Sequence, residues 1–428
     1  MKFFPPNSDR KPVWAWCLYD WANTAFGTVI LTFIYSVYFA KGIVGDETHA
    51  ASIWAYAIAI SGLVIAVLSP VFGSIADHTG RRKPWIFGFN LICILATALL
   101  WFGVPGAPDM YILMILTLVI LGNIGFEMAI VFYNAMLPDI SGSKNMGRLS
   151  GLAWGLGYLG GLSCLVLVLF GVIGLGPIEP FLHLPTENSQ HVRAAALLTA
   201  GWIFVFSLPL FIFTPDAPRS GLSIVEAVKN GMKSLIETIR HIRAEKNIFT
   251  FLVSAAIYRD GLNTLFAIGG LYAAGQYGMS FEQILIFAIG LNVTAGLGAM
   301  GFSFLDDKKG SKTVILMSLI GLVVTGGVIL WVDDLYWFIG LAMALGIFIG
   351  PAQAAGRTLC ARLAPPEKVT QIFGFYSLTG KSIAFLGPLT YGLATDVFDT
   401  QKAGMVTIIG FWLLGALLLS LVREGQNR

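Results

Sequence analysis

The sequence predicts an all-α polytopic membrane protein, with twelve transmembrane helices in two pseudo-symmetric six-helix bundles. Three observations carry that prediction. Only 12 % of the 428 residues are charged against 56 % hydrophobic, where a soluble domain carries roughly 25 % charge. The apolar residues fall into twelve stretches of bilayer length, six before a polar interruption and six after it. Three short motifs of the first half recur in order in the second. This composition excludes a soluble enzyme, a disordered chain and a nucleic-acid binder. A formal net charge of +3 implies no polyanionic partner.

The stretches lie near 14–40, 51–76, 85–104, 111–137, 149–174 and 194–214, then near 248–275, 281–305, 313–332, 335–361, 369–395 and 402–422. They divide the chain into an N-terminal bundle (1–214), a linker (215–247) and a C-terminal bundle (248–428). The opening MKFFPPNSDRKPVW lacks an apolar core with a small-residue cleavage site, so the first stretch is expected to stay as a helix. Pro70, Pro209, Pro351 and Pro388 fall inside stretches, which membrane helices tolerate when neighbours re-satisfy the backbone. With the N-terminus cytoplasmic, 21 of the 27 Lys and Arg face the cytoplasm and only Lys41, Arg193 and Lys402 face away. Both termini are therefore expected in the cytoplasm, in a bacterial inner membrane. Trp14, Trp16, Trp85, Trp101 and Trp331 near span ends predict interfacial belts.

In the linker, Ser223 and Glu226 have the spacing of a capping box. Val225, Val228, Met232, Leu235, Ile236, Ile239 and Ile242 then recur every three or four residues, with Lys229, Lys233 and Arg240 on another face. This predicts an amphipathic helix on the cytoplasmic interface, bracing the two halves.

The repeats are specific. Asp20-x-x-Asn23-Thr24-x-Phe26 matches Asp260-x-x-Asn263-Thr264-x-Phe266, at an offset of 240. Asp77-x-x-Gly80-Arg81-Arg82-Lys83 matches Asp307-x-x-Gly310-Ser311-Lys312, at 230, and Gly151 and Gly157 match Gly374 and Gly380, at 223. The loop Gly73 to Pro84 places an acid at one helix end and bases after a glycine turn. Gly73, Asp77, Gly80 and Arg81 predict a conformational latch in which Asp77 pairs with Arg81.

On these residues the chain resembles the major facilitator superfamily, the Gly73–Lys83 segment looking like its signature between helices two and three. Ser311 departs from the base that resemblance expects in the second copy. Tyr19-Asp20-Trp21-Ala22-Asn23-Thr24-Ala25-Phe26, Phe132-Tyr133-Asn134-Ala135-Met136-Leu137-Pro138-Asp139, the Ser150–Gly161 segment and Phe373-Gly374-Phe375-Tyr376-Ser377 are similar to the vacuole-effluxer branch. The resemblance implies a two-bundle transporter working by alternating access, with amino acids as the expected cargo.

Six charged residues fall inside the spans and away from their ends: Asp20, Glu127, Asp260, Arg259, Arg357 and Lys381. Each costs ~2.5–3.5 kcal/mol at mid-helix unless it pairs, lines water or does work. Glu127, Asp260 and Lys381 are expected near the midplane, and Asp20, Arg259 and Arg357 nearer the cytoplasm. With the amides Asn23, Asn134 and Asn263 they could hold a zwitterion: Lys381 or Arg357 on a carboxylate, Glu127 or Asp260 on an ammonium. The same acids could bind a proton. The alternative role for all six is interhelical ion pairing. The binding or coupling set is thus Asp20, Asn23, Glu127, Asn134, Asp260, Asn263, Arg357 and Lys381. Expected partners are a small polar solute, a proton or other cation and membrane lipid, for a monomer without cofactor, metal or nucleic acid. A sugar–cation symporter is the alternative within transport, and a non-transporting sensor or scaffold the alternative outside it.

Overall fold

The twelve expected spans become rods in a computed structural model that describes residues 10–45, 47–106, 108–142, 144–174, 179–241, 245–279 and 281–424. The first six are α1 (Lys11–Val44), α2 (Glu47–Thr79), α3 (Lys83–Phe102), α4 (Asp109–Ala135), α5 (Met146–Ile173) and α6 (Gln190–Phe213). The linker helix α7 (Ile224–His241) follows. The second half holds α8 (Lys246–Tyr277), α9 (Phe281–Lys309), α10 (Ser311–Ile329), α11 (Leu335–Leu363), α12 (Val369–Ile383), α13 (Leu386–Phe398) and α14 (Gln401–Ser420). Among the described residues, ten helices are long and apolar enough to cross a membrane. The remaining two crossings are α8, with Arg259 and Asp260 in its middle, and the broken rod α12–α13.

That break has a local cause. Pro388 cannot donate a hydrogen bond, and its ring crowds the carbonyl four residues earlier, at Ala384. The helix stops at Ile383 and restarts at Leu386. Pro70, Pro209 and Pro351 lie inside continuous helices, as expected. α1 is helical, as expected of the first stretch, but not regular throughout. It widens over Phe26–Phe33 (FGTVILTF) and again over Phe39–Val44, where amides reach five residues back, as Ile34 N–H does to the Val29 carbonyl. Glycine and β-branched residues are poor material for a regular turn. Trp16 also departs from expectation. It is fully buried, stacked on Tyr133 at 4.4 Å, rather than in a belt.

The two bundles meet along α2 with α12 and α5 with α9. Small residues let backbones touch there. A methyl at Gly374 would meet the Ser69 carbonyl at 2.5 Å, and one at Gly73 the Thr370 carbonyl at 2.7 Å. Gly151, the repeat partner of Gly374, is as tight against the Ala299 carbonyl. These joints lie in the half of the molecule nearest both described chain ends, where Thr214 donates to the Pro12 carbonyl and Asn247 to that of Arg423. Farther along, α12 passes from buried (Val369–Tyr376) to part-exposed or exposed from Ser377 onward. The bundles are closed at the end carrying the described chain ends, and α12 becomes more exposed beyond it.

The linker forms its capping box. The Ser223 hydroxyl and N–H both donate to the Glu226 carboxylate, and Glu226 N–H donates back to the Ser223 hydroxyl. Those bonds, the hydroxyl's first, hold the Glu226 carboxyl below its ordinary range. Ile242, expected on the apolar stripe, lies outside the described residues.

Candidate functional site

Three tiers of polar groups cross between the bundles, starting at the closed end. In the lowest tier, Asp77 at the end of α2 accepts hydrogen bonds from the Thr370 (3.1 Å) and Gln371 (2.8 Å) N–H groups that open α12. Asp307, its repeat partner at the end of α9, accepts from Gly147 (2.8 Å) and Arg148 (3.2 Å), which open α5. Each carboxylate sits on the positive end of a helix in the other bundle. Two more acids cap helices within their own bundles. Asp216 takes the N–H groups of Arg82 and Lys83, and Glu424 those of Ser311 and Lys312.

The bonds at the expected latch differ from the expected ones. Among the described residues no ion pair joins Asp77 to Arg81, which is exposed. The neighbouring Arg82 is the buried base, bonded to Asp139 and to the Thr370 hydroxyl. Asp77 prefers two fixed amide donors over a solvated side chain across the turn. Gly80 has φ +83, and a methyl there would run into the Pro218 carbonyl. Ser311, which replaces the expected base, donates to Asp306 and accepts from Arg362 on α11. Arg362 supplies the positive charge from another helix, pairing with Asp306 (3.0 Å) and Glu424 (2.8 Å).

The middle tier centres on Arg357 of α11, 3 % exposed. Its guanidinium donates to Asp20 (2.9 Å) and Asn134 (3.3 Å), and to the Ser150 hydroxyl (2.9 Å) and carbonyl (2.7 Å). Trp16, Tyr133 and Trp154 surround it at 5.0–5.9 Å. One C-terminal arginine is thus held by α1, α4 and α5 of the other bundle. Asp20, Asn134 and Arg357 come together as a plug at this level.

The upper tier is the pair Lys381 to Glu127, 2.7 Å apart and each about a quarter exposed, where α12 begins to leave the first bundle. Beside it Arg259 lies over the Tyr376 ring at 4.2 Å and donates to the Tyr376 carbonyl at 3.4 Å. Arg259 was expected nearer the cytoplasm and outside the binding set. The structure brings it to this level, pressed against Gly380. Among the described residues no salt bridge joins it to a carboxylate, although the Glu127 charge acts on it. The sequence signal available was its place one residue before the repeat aspartate, on the face that carries Asn263 four residues on. Asn263 is exposed on that face.

Asp260 does not join the tier. It is 1 % exposed and accepts from Gly387 N–H at 2.8 Å, the amide freed by the break in α12–α13. The backbone left short by Pro388 is satisfied by a side chain of α8, as the tolerated proline requires. Asn23 is 2 % exposed with neither amide atom bonded to protein. Both repeats do share one detail: Thr24 and Thr264 return their hydroxyls to the carbonyls of Asp20 and Asp260.

Two bundles joined at one end, with a charged layer between them, define an integral multi-pass transporter of the major facilitator type and not an enzyme. The chain belongs to the vacuole effluxer Atg22-like family, whose profile matches residues 40–148 and 141–428. It is similar to the uncharacterized MFS-type transporter YxiO of Bacillus subtilis, 27 % identical over 96 % of this chain and 94 % of that protein. It is also similar to the autophagy-related protein 22 of Kluyveromyces lactis, 25 % identical over 82 % of this chain and 75 % of that one. Among solved structures it shares its fold with FucP in the outward conformation, at a TM-score of 0.76 and 12 % identity over 96 % of this chain and 99 % of that one. The proton:xylose symporter XylE matches at a TM-score of 0.75 and 13 % identity over 98 % of this chain and 96 % of that one.

Proposed function

We propose that the chain carries a small zwitterionic solute, an amino acid, across a bacterial inner membrane as a monomer by alternating access. One observation carries this reading: Arg259, with no carboxylate at ion-pair distance among the described residues, stands beside the Lys381–Glu127 pair. The layer then holds two cations and one anion. That charge excess receives the solute carboxylate on Arg259 and Lys381 and its ammonium on Glu127, with Asn263 on the same face. Asp20, Asn134 and Arg357 serve as the gate beneath the site rather than as ligands. Asp260 fixes the break in α12–α13, and Asn23 offers unused amide groups one turn above Asp20.

With both termini cytoplasmic, as the distribution of basic residues supports, the closed end is the inner one. Parting the bundles there would separate Lys381 from Glu127 and leave a carboxylate without its cation in a poorly solvated layer. That separation of charges makes Glu127 the proposed site of coupling to a proton gradient.

Counterflow in proteoliposomes tests the reading. Wild type should exchange amino acids, and Arg259→Gln should weaken exchange roughly ten- to a hundredfold, as loss of a charged hydrogen bond does. Glu127→Gln should weaken exchange by a similar factor, and the exchange that remains should not respond to a pH gradient. Cation-stimulated sugar exchange that Arg259→Gln leaves intact would replace this reading with sugar–cation symport.

A further inference from the structure

Helix α7 carries four stripes, and their order is informative. At about 100° per residue, Ala227, Gly231, Leu235 and Thr238 fall on one face, and all four are buried. The next face round is Val225, Val228, Met232, Ile236 and Ile239, which are 37–78 % exposed. Lys229, Lys233 and Arg240 follow, exposed, and then Glu226, Asn230 and Glu237.

The buried face is a strap across both bundles. Ser74 of α2 donates to the Gly231 carbonyl at 2.7 Å. Gln371 and Lys368, at the start of α12, reach Ser234 and Thr238. Gly231 also packs on Ile75, four residues before α2 ends at Thr79, so α7 sits about 6 Å inside that helix end. At this depth the apolar stripe continues the lipid-facing surface of the bundle. The basic stripe lies on its outer border only, where phosphate headgroups would stand, and the acidic stripe lies beyond, toward water. A groove in a soluble partner would give the apolar stripe no reason to be basic on one side and protein-bound on the other.

We propose that α7 recognises an anionic lipid leaflet through this paired apolar and basic surface, and that the leaflet thereby favours the closed-end conformation. The bias follows from geometry. Opening this end separates α2 from α12, so α7 cannot keep both its contacts, and lipid that fixes α7 in place favours the state that makes both. The proposal is independent of which solute is carried.

The test uses the full chain in nanodiscs of phosphatidylcholine, with or without phosphatidylglycerol. The four native cysteines are buried, so an environment-sensitive dye is placed at Ile236→Cys, with Asn230→Cys as the control. Spin labels at Lys144→Cys and Lys308→Cys, both exposed at the closed end, report opening without any solute present. Phosphatidylglycerol should shift the dye at 236 to the blue, leave that at 230 unmoved and raise the short-distance population. The triple variant Lys229→Gln, Lys233→Gln, Arg240→Gln should need on the order of a hundredfold more phosphatidylglycerol for both responses. The proposal is overturned if the dye at 236 ignores phosphatidylglycerol or the triple variant responds like wild type. It is equally overturned if the distances do not follow the lipid, or if soluble glycerol phosphate reproduces the effect.

Discussion

Asp20 and Asp260 occupy the same place in the same motif, each followed by the same Asn and Thr, yet they do different work. Asp20 crosses to the other bundle and pairs with Arg357. Asp260 stays in its own bundle and caps the restart of a broken helix. The latch acids Asp77 and Asp307 behave in the opposite way, each seated on a helix opening in the partner bundle. Duplication has kept the joint symmetric and let the centre diverge. On the proposed function, a symmetric joint would serve the rocking of either bundle, and the divergent centre would leave Asp20 to the gate and Asp260 to the helix break.

This contrast can be broken by mutation, and the largest effect belongs to Asp20. Asp20→Ala strands a buried arginine and should cost about 3–5 kcal/mol, read as a lower melting temperature and an opened terminal end. Asp260→Ala strands only the Gly387 amide, at about 1–3 kcal/mol, and should loosen α13 without opening that end. Hydrogen exchange localised to residues 386–392 checks this. Equal losses at both aspartates would erase the distinction.

Next come the close approaches. Gly374→Ala forces a methyl onto the Ser69 carbonyl and should cost about 1–3 kcal/mol in the closed conformation. Gly340→Ala, with nothing within 4 Å, should fall within about 0.5 kcal/mol of wild type. Transport and thermal stability of the two variants provide the measurement. The smallest effect is the capping box of α7. Because the Glu226 carboxyl is held low, its stabilisation is present above the ordinary glutamate pKa and fades as pH falls through the folded value. Protection of the amides of residues 225–229 should exceed that of Ser223→Ala at neutral pH and converge with it in acid.

Much of this was legible in the residues. Apolar length and basic-residue placement predict the twelve crossings, because the bilayer acts on each segment separately. The repeat offsets predict the paired joints, and the charge ledger nominates Glu127, Lys381, Asp20 and Arg357. Which acid meets which base was not legible, since pairing depends on helices far apart in sequence. Asp20 and Arg357 are separated by 337 positions, and no local rule prefers that arginine to Arg259. Asp77 misled for a related reason. Its nearest base in sequence is solvated, while the amides that satisfy it belong to a helix 293 residues later. The break in α12–α13 was half legible: Pro388 marks the fault, but only the fold brings Asp260 to it.

The most direct measurement is the distance between spin labels at Lys144→Cys and Lys308→Cys in wild type, Asp20→Asn and Asp260→Asn. In nanodiscs containing phosphatidylglycerol, wild type and Asp260→Asn should each give mainly the short distance, and Asp20→Asn should add a longer population. A closed end that survives Asp20→Asn, or opens equally with Asp260→Asn, would contradict the assignment of the gate to one half of the repeat.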